Sequence, residues 1–340
     1  MTVTTTAVRR FALWSLVLIG CVVHAQSQVR IVQTNSRGDN IHLIDPETNR
    51  IVGEITGVPI NHGAAASPDG RRLYFTSEAE QSLAVVDTNT LAVTKKIPLT
   101  GRPNNMSISR DGRRVYVGIV SQPGAVDVID TATLERVKRI PTKGGIHNVY
   151  VTPDGRHVVA GSIAGRLMTV IDATTEEPVW TLFEEGVRPI AFETNPDGST
   201  KRLFVQISNL HGFAVVDWAQ RKEVARITLP DIPEAQRDKG PFNASPSHGI
   251  GVAPDGRTLW VCSRPNGKVY AYSLPDLQLL GGVDVGPRPD WLTFTPDSRR
   301  VYVATETTDS VTVIDVPSRT EVTRVTVGDA PKRNITIVLR

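Results

Sequence analysis

Cysteine is nearly absent from this 340-residue chain, which holds only Cys21 and Cys262. Cys21 lies in an N-terminal stretch read below as a removable leader. No internal disulfide is then available, and stability has to come from backbone pairing and a buried core. An excess of one charge is lacking as well: 38 lysines and arginines face 35 aspartates and glutamates. Such a surface has no broad basic field, so no nucleic-acid partner is expected. Apolar runs are short. Even the stretch from Phe11 to Val23 falls below the roughly 20 residues that cross a bilayer, and no transmembrane span is expected in the mature chain. Motifs of familiar chemistry are missing too: GxSxG, HExxH, CxxC and the P-loop do not occur. Gly249-x-Gly251 runs into Pro254 and a turn, where a dinucleotide fingerprint needs a helix. The absence of CxxCH removes a covalently attached c-type haem.

What the chain has instead is repetition. Short hydrophobic runs end at Asp45, Asp87, Asp130, Asp172, Asp217, Ser273 and Asp315, spaced 42, 43, 42, 45, 56 and 42 residues apart. A period in the forties built from strands and turns marks a β-propeller. A second series runs in phase, with SPDG, SRDG, TPDG, NPDG, APDG and TPDS around Asp69, Asp111, Asp154, Asp197, Asp255 and Asp297. These residue types favour tight turns. Each turn follows a run rich in small residues, such as GAAA at 63–66, and precedes a β-branched or aromatic one, such as RLYFT. Each repeat therefore reads as four strands: A at the central axis, then B, C and a polar outer D. Six repeats are complete. The N-terminal VRIVQTN, NIHLID and RIVGEIT supply strands B, C and D of a seventh, and the C-terminal KRNITIVL supplies its strand A. The expected fold is all-β, a seven-bladed propeller of four antiparallel strands per blade, closed by pairing the two chain ends.

Residues 1–25 read as a signal peptide, with Arg9 and Arg10, the apolar stretch, and a Val23-His24-Ala25 cleavage site. Residues 26–340 then form one propeller domain, exported to the periplasm or secreted. Leu18-Ile19-Gly20-Cys21 offers an alternative, a lipoprotein anchored through Cys21.

The pattern SPDG-RR-hYVT followed by VID resembles the YVTN-type seven-bladed propellers, the group of YncE-like proteins, over essentially the whole mature chain. The tetrad itself is inexact here, reading YFTS at 74–77, YVGI at 116–119, WVCS at 260–263 and YVAT at 302–305. That resemblance implies the same fold. It leaves activity open, since such propellers include binders, scaffolds and enzymes of several types.

Candidate site residues follow from the repeat. Counting back five positions from the residue before the Pro or Arg of each turn gives His62, Asn104, His147, Ile190, His248 and Asp290, with Arg333 or Asn334 as the seventh. All lie where the D-to-A loops open on one mouth of the central channel. Three imidazoles from three blades could ligate Zn, Cu or Fe, serve as acid and base, or hold a redox cofactor such as a haem. Asp290 is the acidic member and the candidate base. Arg102, Arg188 and Arg288 precede strands A and favour carboxylate or phosphate, while His211 sits on a B-to-C loop of the same face. Between blades four and five, residues 230–247 break the period and are expected to lie over this mouth, with Phe242 as a candidate cap.

Two functions follow. The preferred one is a binder of a small, anionic ligand or an exported protein at the His/Arg-rich mouth. The other, suggested by the related propellers, is a metal-dependent lyase, lactonase or oxidoreductase using His62, His147 and His248.

Overall fold

Alternating turns and hydrophobic runs place 28 strands in seven antiparallel sheets in a computed structural model that describes residues 1–3, 28–240 and 245–339. The apolar leader segment, with Cys21, and Phe242 lie outside the described residues. Blades 1 to 6 run in chain order as Asn61–Pro98, Pro103–Pro141, Ile146–Leu182, Val187–Thr228, Ser247–Asp284 and Pro289–Thr326. Blade 7 joins the two ends, with Pro331–Leu339 as its strand A beside Gln28–Asn35, Ile41–Asp45 and Arg50–Ile55. The expected seven-bladed, four-stranded, end-closed propeller is what the chain forms.

Each sheet is covered by neighbours on both faces, so strands B and C are continuous apolar runs rather than alternating ones. Leu73, Tyr74 and Phe75 of strand B in blade 1 are all buried, as are Leu83, Ala84, Val85 and Val86 of its strand C. The seams hold the core. Tyr74, Leu83 and Val85 of blade 1 pack on Val115, Val117 and Ile119 of blade 2. Cys262 is one such seam residue, fully buried with Leu292 and Val303, and burial pushes its thiol pKa far up. It behaves as a small apolar side chain.

The repeated aspartates are turn residues. Asp87 Oδ1 accepts from the backbone N–H of Asn89 and Thr90, and Asp130 Oδ1 does the same for Ala132 and Thr133. In the SPDG turn, Ser67 Oγ donates to Asp69 Oδ1 at 2.6 Å while Arg71 N–H donates to the same oxygen. These local bonds fix where strands end and thereby set the period.

Strand A carries a bulge in every blade, and its register decides which side chains face the mouth. Asn61 pairs with Ser77 and Ala64 with Phe75 in blade 1. The matching pairs in blade 4 are Val187 with Ile207 and Ile190 with Val205. Arg188, not Ile190, therefore occupies the position of His62. Strand A of blade 4 runs eight residues, Val187–Thr194, where that of blade 1 runs six, so five steps back from the NPDG turn stop two residues short. In blade 7, Pro331 pairs with Asn35 as Pro289 pairs with Thr305 in blade 6. The seventh position is thus Lys332 rather than Arg333 or Asn334.

Candidate functional site

The corrected ring at the channel mouth is His62, Asn104, His147, Arg188, His248, Asp290 and Lys332. The B-to-C loops line the same face, as shown by Glu78 N–H donating to the Ile60 carbonyl and Val120 N–H to that of Arg102. They add three charged residues that follow strand B, Glu78, Arg264 and Glu306, none of which was singled out from the sequence.

All three ring imidazoles have Nδ1 engaged. His62 Nδ1 lies 2.8 Å from Glu78 Oε1, His147 Nδ1 is 2.7 Å from Asn148 Oδ1, and His248 Nδ1 is 2.8 Å from the Asp290 carbonyl. Carboxylate, amide and carbonyl oxygens accept, so each Nδ1 carries the proton and each Nε2 keeps its lone pair. Burial lowers the pKa of all three. It takes His147 down to about 3, with the charges of Arg188 and Lys332 acting in the same direction, and His248 well below 6.5. His62 is lowered less completely because Glu78 favours its charged form. The rings of His62 and His147 meet edge to face with centroids 6.4 Å apart. His248 instead packs on Trp291.

Charged partners surround these rings. Glu78 also receives Asn104 Nδ2 at 3.3 Å and Arg102 Nη1 at 3.3 Å. Burial opposes its charge, but His62 and Arg102 hold its pKa below the ordinary value. Asp290 is bonded by Arg264, and Lys332 Nζ lies 3.9 Å from both Asp290 Oδ2 and Glu306 Oε2. Burial again opposes the Asp290 charge, and Arg264, His248 and Lys332 overcome it, holding the carboxyl well below 3.8. Its place in the structure is that of a counter-ion, a poor station for a proton. Arg188 donates from Nε to Ser208 Oγ at 2.9 Å, and burial, then Arg264, bring its pKa down to about 10.

Other candidates fall nearby but not in the ring. His211 bonds Ser263 Oγ through Nε2 at 2.7 Å and faces Asp231 at 3.9 Å, which joins blade 4 to blade 5 at the rim. Arg288 pairs with Asp238 of the inserted segment at 3.5 Å. That segment also bonds the B-to-C loop of blade 5 through Asp238 N–H to the Pro265 carbonyl and Asn266 Nδ2 to the Pro230 carbonyl. It therefore lies on the mouth face, as its position in the sequence implies. Arg333 sits one step further along strand A, with its guanidinium stacked on Trp291 at 3.6 Å.

A metal site built on His62, His147 and His248 together does not fit this geometry. Among the described residues, no three His, Cys, Asp or Glu side chains are grouped closely enough to ligate an ion.

Fold and mouth define a seven-bladed propeller with a polar, charged channel end. Residues 121–339 match the family described as lactonase, 7-bladed beta-propeller, and the chain belongs to that family. Residues 29–186 also match the cytochrome D1 heme domain. Solved structures of similar fold include hydrazine synthase of Kuenenia stuttgartiensis, at 24% identity and a TM-score of 0.73 over 84% of this chain and 91% of that one. A putative 6-phosphogluconolactonase from Bacteroides fragilis NCTC 9343 is 17% identical with a TM-score of 0.73, over 92% and 98% of the two chains. Dihydro-heme d1 dehydrogenase NirN, solved with DHE, is 18% identical with a TM-score of 0.62, over 90% and 74%. At these identities the likeness is one of fold. No curated protein matches the chain.

Proposed function

We propose that the mouth binds a small ligand carrying carboxylate or phosphate, outside the cytoplasm. The observation that carries this reading is the sign of the ring. Arg102, Arg188, Arg264 and Lys332 gather around Glu78, Asp290 and Glu306, four cations to three carboxylates, while the imidazoles between them stay neutral. Removing such charges from water costs several kcal/mol each, and an anion entering the ring offsets that cost. Neutral imidazoles add hydrogen-bonding without adding charge. The leader supports export, periplasmic or secreted, with attachment through Cys21 as the alternative that the mass of the mature N-terminus decides.

Titration calorimetry with 6-phosphogluconate and citrate, with glucose as neutral control, tests the reading. Anions bind wild type, glucose does not, and the Arg188→Gln/Lys332→Gln variant loses about tenfold or more in affinity. Equal affinity in the folded double variant defeats it.

Lactone hydrolysis is a second reading, favoured by the family to which the chain belongs. His62 Nε2 is unprotonated and would take the proton of an attacking water. Glu78 holds the opposite nitrogen and stabilises the imidazolium that forms. Arg188 and Lys332 would face the developing oxyanion. Assay of 6-phosphogluconolactone hydrolysis checks this, with a rate above the spontaneous one that falls by about a hundredfold or more in His62→Ala. No acceleration by wild type ends it.

A further inference from the structure

Beyond the ring, toward the A-to-B turns, lies a second chamber of about 450 Å³, and among the residues lining it are Tyr150, Ile250, Trp291, Leu292 and Arg333. Most of its wall comes from the later halves of the inner strands, toward the A-to-B turns and away from the ring. The wall mixes aliphatic side chains, among them Ala65, Met106, Ile190, Ile250 and Leu292, with the polar Ser107, Thr293, Asn334 and Thr336. Into this space projects one cation. Arg333 is 5% exposed, its Nε has no hydrogen-bond partner, and its guanidinium lies flat on Trp291 at 3.6 Å. Burial brings its pKa down to about 10, so it stays protonated at neutral pH. The hydroxyl of Tyr150 accepts from Asn148 Nδ2, from the Arg333 guanidinium and more weakly from Ile190 N–H, which leaves its own proton to donate. Ser107 Oγ likewise accepts from Val151 N–H and keeps a proton.

We propose that this chamber is a second binding site, distinct from the mouth, for a small monocarboxylate with an apolar body. Arg333 and Tyr150 hold the carboxylate, and the aliphatic side chains of the wall take the rest. One buried guanidinium compensates one negative charge, which selects a carboxylate over a phosphate dianion. The volume lies within the range of small-molecule pockets. Packing on Trp291 fixes the guanidinium plane, so little further ordering is required on binding.

Sodium benzoate is the probe, titrated calorimetrically into the full chain, with benzamide as its neutral counterpart. Benzoate binds wild type and benzamide does not, Arg333→Gln weakens benzoate about ten- to hundredfold, and Tyr150→Phe weakens it severalfold while leaving citrate binding unchanged. If Arg333→Gln fails to fold, Tyr150→Phe decides. The proposal is overturned by no benzoate binding at millimolar concentration, by equal binding of benzamide, or by wild-type affinity in either folded chamber variant. Loss of benzoate in Arg188→Gln but not in Tyr150→Phe would move the ligand to the mouth, which overturns the chamber and leaves the mouth reading standing.

Discussion

Three imidazoles held neutral by burial make stability depend on pH in a defined direction. The folded pKa values of His62, His147 and His248 lie below the unfolded value of 6.5, so below that pH the unfolded chain binds the extra protons. Their contribution is complete above about pH 6.5 and falls by up to about 1.4 kcal/mol per pH unit for each group as pH drops. The carboxyls of Glu78 and Asp290 are shifted down from 4.5 and 3.8, so they add their own loss only at lower pH. Urea midpoints should therefore decline between pH 7 and pH 5, and His147→Gln should flatten the decline. An unchanged slope in that variant would contradict the assignment. A second residue-scale test isolates the Glu78 pair. Because Glu78 raises the His62 pKa, Glu78→Gln should lower it further and weaken the preference for a proton on Nδ1, both read from imidazole nitrogen shifts in NMR. A His62 pKa that rises instead would exclude the carboxylate as its stabiliser.

At the scale of elements, close approach between loops is the fragile feature. A Cβ on Gly165 would lie 1.7 Å from the Lys143 carbonyl oxygen, where the B-to-C loop of blade 3 meets the D-to-A loop before it. Backbone has to move, so Gly165→Ala should cost about 1–3 kcal/mol. Gly198 has φ +82 and nothing within 4 Å of the added carbon. Gly198→Ala should cost only the left-handed conformation, about 1 kcal/mol. Thermal melts of the two rank them, and a larger loss at Gly198 would reverse the argument. These elements also show what was readable in advance. Turn aspartates and strand runs bond within a few residues of themselves, so their period declares the blades, and the histidines fall where the period puts them. Bulges leave no such local mark. The position held by Arg188 is hidden by the two extra residues of its own strand, and that of Lys332 by the lack of a following turn to count from. Glu78, Glu306 and Arg264 share the place just after strand B, but Val120, Ile163 and Ser208 stand there in other blades, so no repeated residue type announced it.

For the whole molecule, closure rests on one strand. Pro331–Leu339 is the inner strand of blade 7 and pairs with Gln28–Asn35 from the opposite end of the chain. Beyond the backbone ladder, Gln33 Nε2 donates to the Arg333 carbonyl and Thr34 Oγ1 to the same oxygen. The adjoining seam is tied by Tyr302 of blade 6, whose hydroxyl donates to Asn49 Oδ1 of blade 7 at 2.7 Å. A chain ending at Ala330 would lose the ladder and both bonds to the Arg333 carbonyl, bare the edge of Gln28–Asn35, and remove Ile337, whose burial alone is worth about 1.5–3 kcal/mol. Set against a total stability of about 5–15 kcal/mol, the loss should leave the truncated chain unfolded or aggregated at 25 °C in size-exclusion chromatography. Missing contacts and missing connectivity can be separated. A permutant that joins Leu339 to Gln28 through a tight turn and opens the chain at Thr56–Gly57 keeps every strand while making blade 7 continuous. It should fold with the wild-type circular dichroism spectrum but unfold faster in urea, because no blade then fastens the first strand of the chain to the last. Unfolding at the wild-type rate would show that pairing within each blade and the seams between blades, rather than the joining of the ends, hold the ring shut.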